Sequence, residues 1–253
     1  VMIDLLPVGK RYLNETNFVE PTALEDQFAM TDADRMIKQD PDKNFRIWND
    51  DDTYNNAAPS YHHNSIGGYN PAKLALYQDL IERQLHYKNM KVFNMLNTKY
   101  FVVQDPQTGR PTVIPNPNAL GNCWLVKRIE YVNNADEEMK ALDNFNPKDT
   151  AIVDKRYQSK ITGQPQLDSA AFIRLIENIN DTVRYDYNAS KPQFAVFSEI
   201  YYDKGWNAYV DGKKTDYVRV NYVLRGMSLP AGQHKITFIF EPETYKRGNS
   251  IAL

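Results

Sequence analysis

From Gln193 to Pro242 apolar and polar positions alternate in short runs separated by turn residues. Phe194, Val196 and Ile200 fall on one alternation; Phe197, Glu199 and Tyr201 fall on the other. A period of two is the strand period, so the stretch predicts half-buried antiparallel strands. Asp211-Gly212 lies between the run Trp206–Val210 and the next β-rich run, Tyr217–Val220. That pair supplies the positive φ values of a tight hairpin. Pro230-Ala231-Gly232 makes the next turn, after which Ile236, Phe238 and Phe240 alternate with Lys235, Thr237 and Glu241. With Phe172–Asn178 and Thr182–Tyr187, about seven strands follow Ala170, the spacing of a sandwich or jelly roll.

The earlier half has a different pattern. Val1–Leu6 is a short apolar strand candidate stopped by Pro7. Thr31 with Asp34 three residues on is a capping box opening a helix over 32–39, which Pro41 keeps short. Phe45–Trp48 predicts a strand, and Asn49–Tyr69, dense in Asp, Asn and Gly, a loop. Asn70-Pro71 predicts a helix over 71–88, with Leu74, Tyr77, Ile81 and Leu85 on one face. A short helix over Val92–Leu96 and a strand over Lys99–Gln104 follow; 105–119 holds four prolines and reads as a loop. Cys123–Val132 predicts one strand, 135–144 a helix capped by Asn134 with Met139 and Leu142 inward, and Thr150–Asp154 a strand. Alternating strands and helices imply an α/β layer. The fold class expected is α+β: an α/β domain over 1–160, a polar boundary at 157–166, and an antiparallel, jelly-roll-like β-sandwich over 166–253.

Composition narrows the functional classes. The 253 residues are 42% hydrophobic and 25% charged, as in folded proteins. A net charge of −2 gives no reason to expect a nucleic-acid partner. No apolar run reaches the ~18–20 residues of a spanning helix. The start Val-Met-Ile-Asp is too short and acidic for a signal peptide, and the chain ends as an apolar run begins at Ile251-Ala252-Leu253. An interior segment of a longer protein that continues into a membrane helix is therefore expected. One cysteine, Cys123, precludes an intrachain disulfide and reads as a small core residue.

No side-chain pattern carries a reaction by itself. His62-His63 with His86 lacks metal-site spacing, and no metal or cofactor is expected. Asp40, Asp42 and Asn44 begin like a calcium loop, but Phe45 and Asp51 stand where Gly and Glu are required. The Asp-x-Asp pairs at 32, 40 and 50 are expected in a chain this acidic. Lys73 and Lys99, near Tyr69 and Tyr100, are candidates to hold a phosphate-bearing group, although a solvated lysine explains each. The sharpest cluster is Glu199, Tyr201, Tyr202, Trp206 and Arg225. Aromatic faces with a carboxylate and an Arg suit a sugar; the competing reading puts Trp206 in the core and pairs Glu199 with Arg225.

The string Ser198-Glu199-Ile200-Tyr201-Tyr202, then Gly205-Trp206 and Tyr209-Val210-Asp211-Gly212, resembles the C-terminal extracytoplasmic region of the YfhO family of bacterial membrane proteins. Asn221-Tyr222-Val223-Leu224-Arg225 and Pro230-Ala231-Gly232-Gln233-His234 extend the likeness. Earlier blocks are also similar: Asp4–Val8 with Lys10–Asn14, Ser65-Ile66-Gly67-Gly68-Tyr69 with Pro71-Ala72-Lys73-Leu74, Met95–Tyr100, and Asn116–Asn122 ending at Trp124. Cys123 departs from the small residue expected there, which touches packing alone. The resemblance implies a polytopic membrane protein related to C-type membrane glycosyltransferases, with this region outside the cytoplasmic membrane. It implies partners among envelope glycans or lipid-linked sugars. Catalytic carboxylates of that class lie in loops between membrane helices, so none is assigned here. The alternative is a structural or protein-binding module.

Overall fold

The computed structural model of the chain describes residues 2–245 and 248. Val1 and the end Ile251-Ala252-Leu253 lie outside the described residues. The expected strand at the start is instead a helix, α1 (Met2–Tyr12), with Pro7 inside it. Its side chains from Leu5 onward are exposed, and a short apolar run does not by itself separate strand from helix. Helices α2 (Pro21–Gln27) and α3 (Asp32–Ile37) follow. The capping box of α3 is as expected: Asp34 N–H donates to Thr31 Oγ1 at 3.1 Å and Thr31 N–H to Asp34 Oδ2 at 2.8 Å.

Strand β1 (Arg46–Asn49) precedes a stretch expected to be loop, which holds a short helix, α4 (Ala58–His62), with Pro59 in its first turn. Helix α5 (Ala75–Leu80) begins at Ala75 rather than Pro71, because Asn70 Oδ1 accepts from Ala72 N–H at 2.9 Å in a side-chain-closed turn. It runs on as a π-helical turn, Ile81–Leu85, so Leu80, Ile81 and Leu85 are all buried. Helix α6 (Met90–Met95) is capped by Asn89.

Strand β2 (Thr98–Gln104) pairs in parallel with β1 and antiparallel with β3 (Pro111–Pro115). The proline-rich loop thus contains a strand. Its prolines stand at the two ends of an edge strand, where the missing N–H costs least. The single strand expected over Cys123–Val132 is two, β4 (Cys123–Leu125) and β5 (Arg128–Val132), in different sheets. Between them Val126 N–H bonds to Phe194 and Lys127 N–H to Asp149, so the chain changes layer there. Helix α7 (Ala135–Ala141), capped by Asn134, buries Met139 and Leu142. Strand β6 (Thr150–Asp154) pairs in parallel with β5.

Eight strands follow among the described residues: β7 (Phe172–Ile179), β8 (Thr182–Ala189), β9 (Gln193–Ile200), β10 (Trp206–Val210), β11 (Lys213–Thr215), β12 (Val218–Val220), β13 (Leu224–Leu229) and β14 (Gly232–Phe240). Asp211 (φ 51°) and Gly212 (φ 78°) form the expected hairpin turn, though its second strand is β11 rather than the run at 217. Sheet β11-β10-β14-β8-β7 faces sheet β12-β13-β9-β4 across a core that includes Tyr185, Tyr187, Phe197, Met227, Ile236 and Phe238. Each such side chain contributes roughly 1.5–3 kcal/mol by leaving water.

The second sheet is buried on both faces, unlike the half-buried strands expected. Ala195 and Phe197 of β9 face the sandwich core, while Phe194 and Val196 join a second core with Leu96, Trp124 and Ile152. Strand β4 completes this sheet by pairing with β9 through Cys123↔Phe197 and Trp124↔Val196. The chain is therefore an α+β fold in which one sandwich sheet is the middle layer, with helices and the β5–β6 pair beyond it.

Candidate functional site

The five residues of the aromatic cluster separate into buried and open members. Arg225 is 2% exposed. Its guanidinium lies 4.3 Å from the Trp206 ring centroid and 5.2 Å from that of Phe238, and its Nε donates to the Ile200 carbonyl at 3.2 Å. Burial lowers its pKa, with Glu199 pulling the other way. Glu199 forms no ion pair within 4 Å with it. Trp206 also tilts against Phe240 at 5.4 Å. Tyr201 is half-buried between Tyr157 and Tyr217, and burial raises its pKa. Tyr202 is exposed, and Tyr217 Oη donates to both its carbonyl and that of Trp206, fastening the loop before β10. Glu199 faces a separate cleft of about 380 Å³ shared with Arg46, Ser65, Asn122 and Asn178.

Beside that cleft, across Arg46, Ser60 and Ser65, lies a larger one of about 520 Å³. It is built from the segment that follows α4. Ser65 bridges to Ile47 of β1, Ile66 N–H bonds to the Ile47 carbonyl, and Tyr77 Oη donates to the Ile66 carbonyl at 2.9 Å. The next residue must pass against the backbone of Thr53: Gly68 N–H reaches the Thr53 carbonyl at 2.7 Å. A Cβ on Gly67 would stand 1.9 Å from that oxygen, so glycine alone fits. Gly68 then takes φ +113°.

Three tyrosines line this cleft: Tyr54, Tyr69 and Tyr77. Tyr69 is 65% exposed. Tyr54 stacks edge-on against Trp48 and His86, and its hydroxyl is buried with no hydrogen-bond partner. An unmet buried hydroxyl costs about 1–3 kcal/mol. Burial raises the pKa of Tyr54, and that of Tyr77 to about 12. Lys73 Nζ sits 5.5 Å from the Tyr54 ring centroid, a cation–π contact, and makes no ion pair among the described residues. The other lysine singled out from sequence, Lys99, is held by Asp40 at 2.6 Å, with Tyr100 Oη on the same carboxylate at 2.7 Å.

The remaining candidates have internal partners. His62 Nε2 is 2.8 Å from the Phe28 carbonyl, His63 Nε2 is 3.0 Å from Asp34 Oδ1, and His86 packs on Tyr54. Among the described residues no group of three or more His, Cys, Asp or Glu side chains could hold a metal. Burial pushes the Cys123 thiol up to about 12. The large cleft was not assembled from sequence because Arg46, Tyr54, Tyr77 and Ile200 are far apart along the chain; Gly67-Gly68 beside Tyr69 was its local signal.

Residues 155–252, fewer than half of the chain, match the family model described as bacterial membrane protein YfhO. The matched part contains β7 through β14 and with them Glu199, Tyr201, Tyr202, Trp206 and Arg225; the large cleft is built mainly from residues before it. No curated protein and no solved structure matches the chain. No helix among the described residues is long and apolar enough to cross a membrane.

Proposed function

We propose that this chain is a glycan-recognising region of a YfhO-family membrane protein, exposed on the extracytoplasmic side and non-catalytic by itself. The observation that carries the reading is the tyrosine-lined cleft of about 520 Å³, a size that accommodates one or two sugar rings. Sugar rings present apolar C–H faces to aromatic platforms and hydroxyls to polar rims, and Tyr69, Ser60, Ser65 and Asn70 supply both. In the adjoining cleft Glu199 is the one carboxylate among the lining residues. Acid–base chemistry at a glycosidic bond uses two carboxylates roughly 5–9.5 Å apart, which supports a binding role over a catalytic one. Glycan arrays and calorimetry on the purified chain test the reading. Binding of an envelope sugar that Tyr69→Ala weakens is expected; uniform negatives across envelope and lipid-linked sugars would overturn it.

A second reading, a protein- or membrane-contacting module, is favoured by one observation. Leu5, Leu6, Val8, Leu13, Phe18 and Val19 are all about half exposed or more within one short stretch. Pull-down with an envelope protein that fails when Leu6 and Phe18 are both changed to Ser, in a chain that binds no glycan, would establish it.

A further inference from the structure

We propose that the large cleft selects a phosphorylated hexose, with the phosphate on Lys73 and Arg46 and the ring against Tyr69; this rests on the glycan reading above. Charge carries the inference. The cleft has two cations, Arg46 and Lys73, and no carboxylate among its lining residues, in a chain whose net charge is −2. Three other cations are paired or buried: Lys99 with Asp40, Arg219 with Glu138, and Arg225 between Trp206 and Phe238. Lys73 touches the Tyr54 ring and no anion. Arg46 commits Nη1 to the Leu96 carbonyl and Ser198 Oγ, at 2.9 and 3.0 Å, which leaves its Nη2 and Nε without a partner among the described residues.

A second feature is independent of charge. Tyr54, which lines the cleft with its ring 5.5 Å from Lys73 Nζ, has a buried hydroxyl without a partner, a polar group that a bound ligand would be expected to satisfy. A neutral sugar answers the tyrosines and leaves both cations bare. Inorganic phosphate answers the cations and leaves the tyrosines bare. A hexose phosphate answers both, and a charge-assisted bond to Lys or Arg is the stronger kind.

Isothermal calorimetry on the whole chain separates the possibilities. The probes are glucose, galactose and N-acetylglucosamine, the 1-phosphate of each, inorganic phosphate, and uridine monophosphate as a ring-bearing anion that is not a sugar phosphate of this kind. At least one hexose 1-phosphate is expected to bind about tenfold tighter than its parent sugar and than inorganic phosphate. Lys73→Gln should remove that tenfold advantage; Tyr69→Ala should weaken both the hexose phosphate and its parent sugar. Equal binding of parent sugar and 1-phosphate overturns the inference and leaves the glycan reading standing. Inorganic phosphate or uridine monophosphate binding as tightly as the hexose phosphates overturns both, as does the absence of binding by every probe. A tenfold advantage that survives Lys73→Gln overturns the assignment to this cleft.

Discussion

Glu138, fully buried in α7, accepts a hydrogen bond from Arg219 at 2.6 Å and another from Tyr222 N–H at 2.9 Å. This joins the helical layer to the turn between β12 and β13. That turn is held from the other side as well, because Asn221 N–H donates to the Ile152 carbonyl and Asn221 Oδ1 accepts from Ile152 N–H. Asn221 and Tyr222 both take left-handed backbone conformations, at φ 48° and 69°, which such a clamp can hold in place. The string Asn221–Arg225 is thereby explained as structure.

Breaking the Glu138–Arg219 pair from one side should be costly. Glu138→Ala leaves a nearly buried guanidinium alone and should lower unfolding free energy by about 3–5 kcal/mol in urea titrations. Glu138→Leu combined with Arg219→Met should recover a large part of that loss. A single variant as stable as the parent would show that the clamp is not a fastening.

Arg225 provides a test of which aromatic cluster is a surface. Because its guanidinium lies inside the sandwich over Trp206, Arg225→Met should keep the fold within about 2 kcal/mol, as apolar replacement of a buried charge often does. It should shift the fluorescence of Trp206 and leave glycan affinity unchanged. A variant that folds, yet loses sugar binding, would return the site to Glu199, Tyr201, Tyr202, Trp206 and Arg225.

Local signals were legible and long-range ones were not. Thr31–Asp34 and Asn134 announced their helices because a cap is settled by adjacent residues. Asp211-Gly212 announced its hairpin for the same reason. Strand β3 was hidden because its prolines are tolerated only where the sheet ends, which the sequence does not display. The burial of both faces of β9 depends on a layer supplied by distant residues such as Trp124 and Ile152. The cleft was hidden likewise: its glycines and Tyr69 are adjacent, but Arg46 and Ile200 reach it only through the sheets. Lys73 and Lys99 looked equivalent in sequence, and the Asp40 carboxylate separates them.

Gly67 supports the cleft by close approach. Gly67→Ala drives a Cβ into the Thr53 carbonyl, so the segment must move away. A stability loss of about 1–3 kcal/mol is expected in thermal or urea unfolding, together with weakened glycan binding. Unchanged stability and affinity would mean that the approach is looser than the structure shows.

His63 gives a pH dependence whose sign follows from its burial. Its side chain is 5% exposed, and burial holds the imidazole below its ordinary value although Asp34 at 3.0 Å pulls upward. His62 and Lys38, also facing it, oppose protonation too. The unfolded chain takes this proton near pH 6.5, before the folded chain does. Stability from this group is therefore present above that pH and is lost as pH falls through it toward the lower folded value. Urea midpoints at pH 7.5 and 5.5 should fall more in the parent than in His63→Gln; parallel falls would contradict the assignment.

The most direct test of glycan recognition is backbone and side-chain NMR of the isotope-labelled chain titrated with the sugars that calorimetry selects. Shifts concentrated at Tyr54, Gly67, Gly68, Tyr69 and Lys73 are expected. Shifts confined to Tyr201, Tyr202 and Trp206, or no shifts at saturating sugar, would contradict recognition in this cleft.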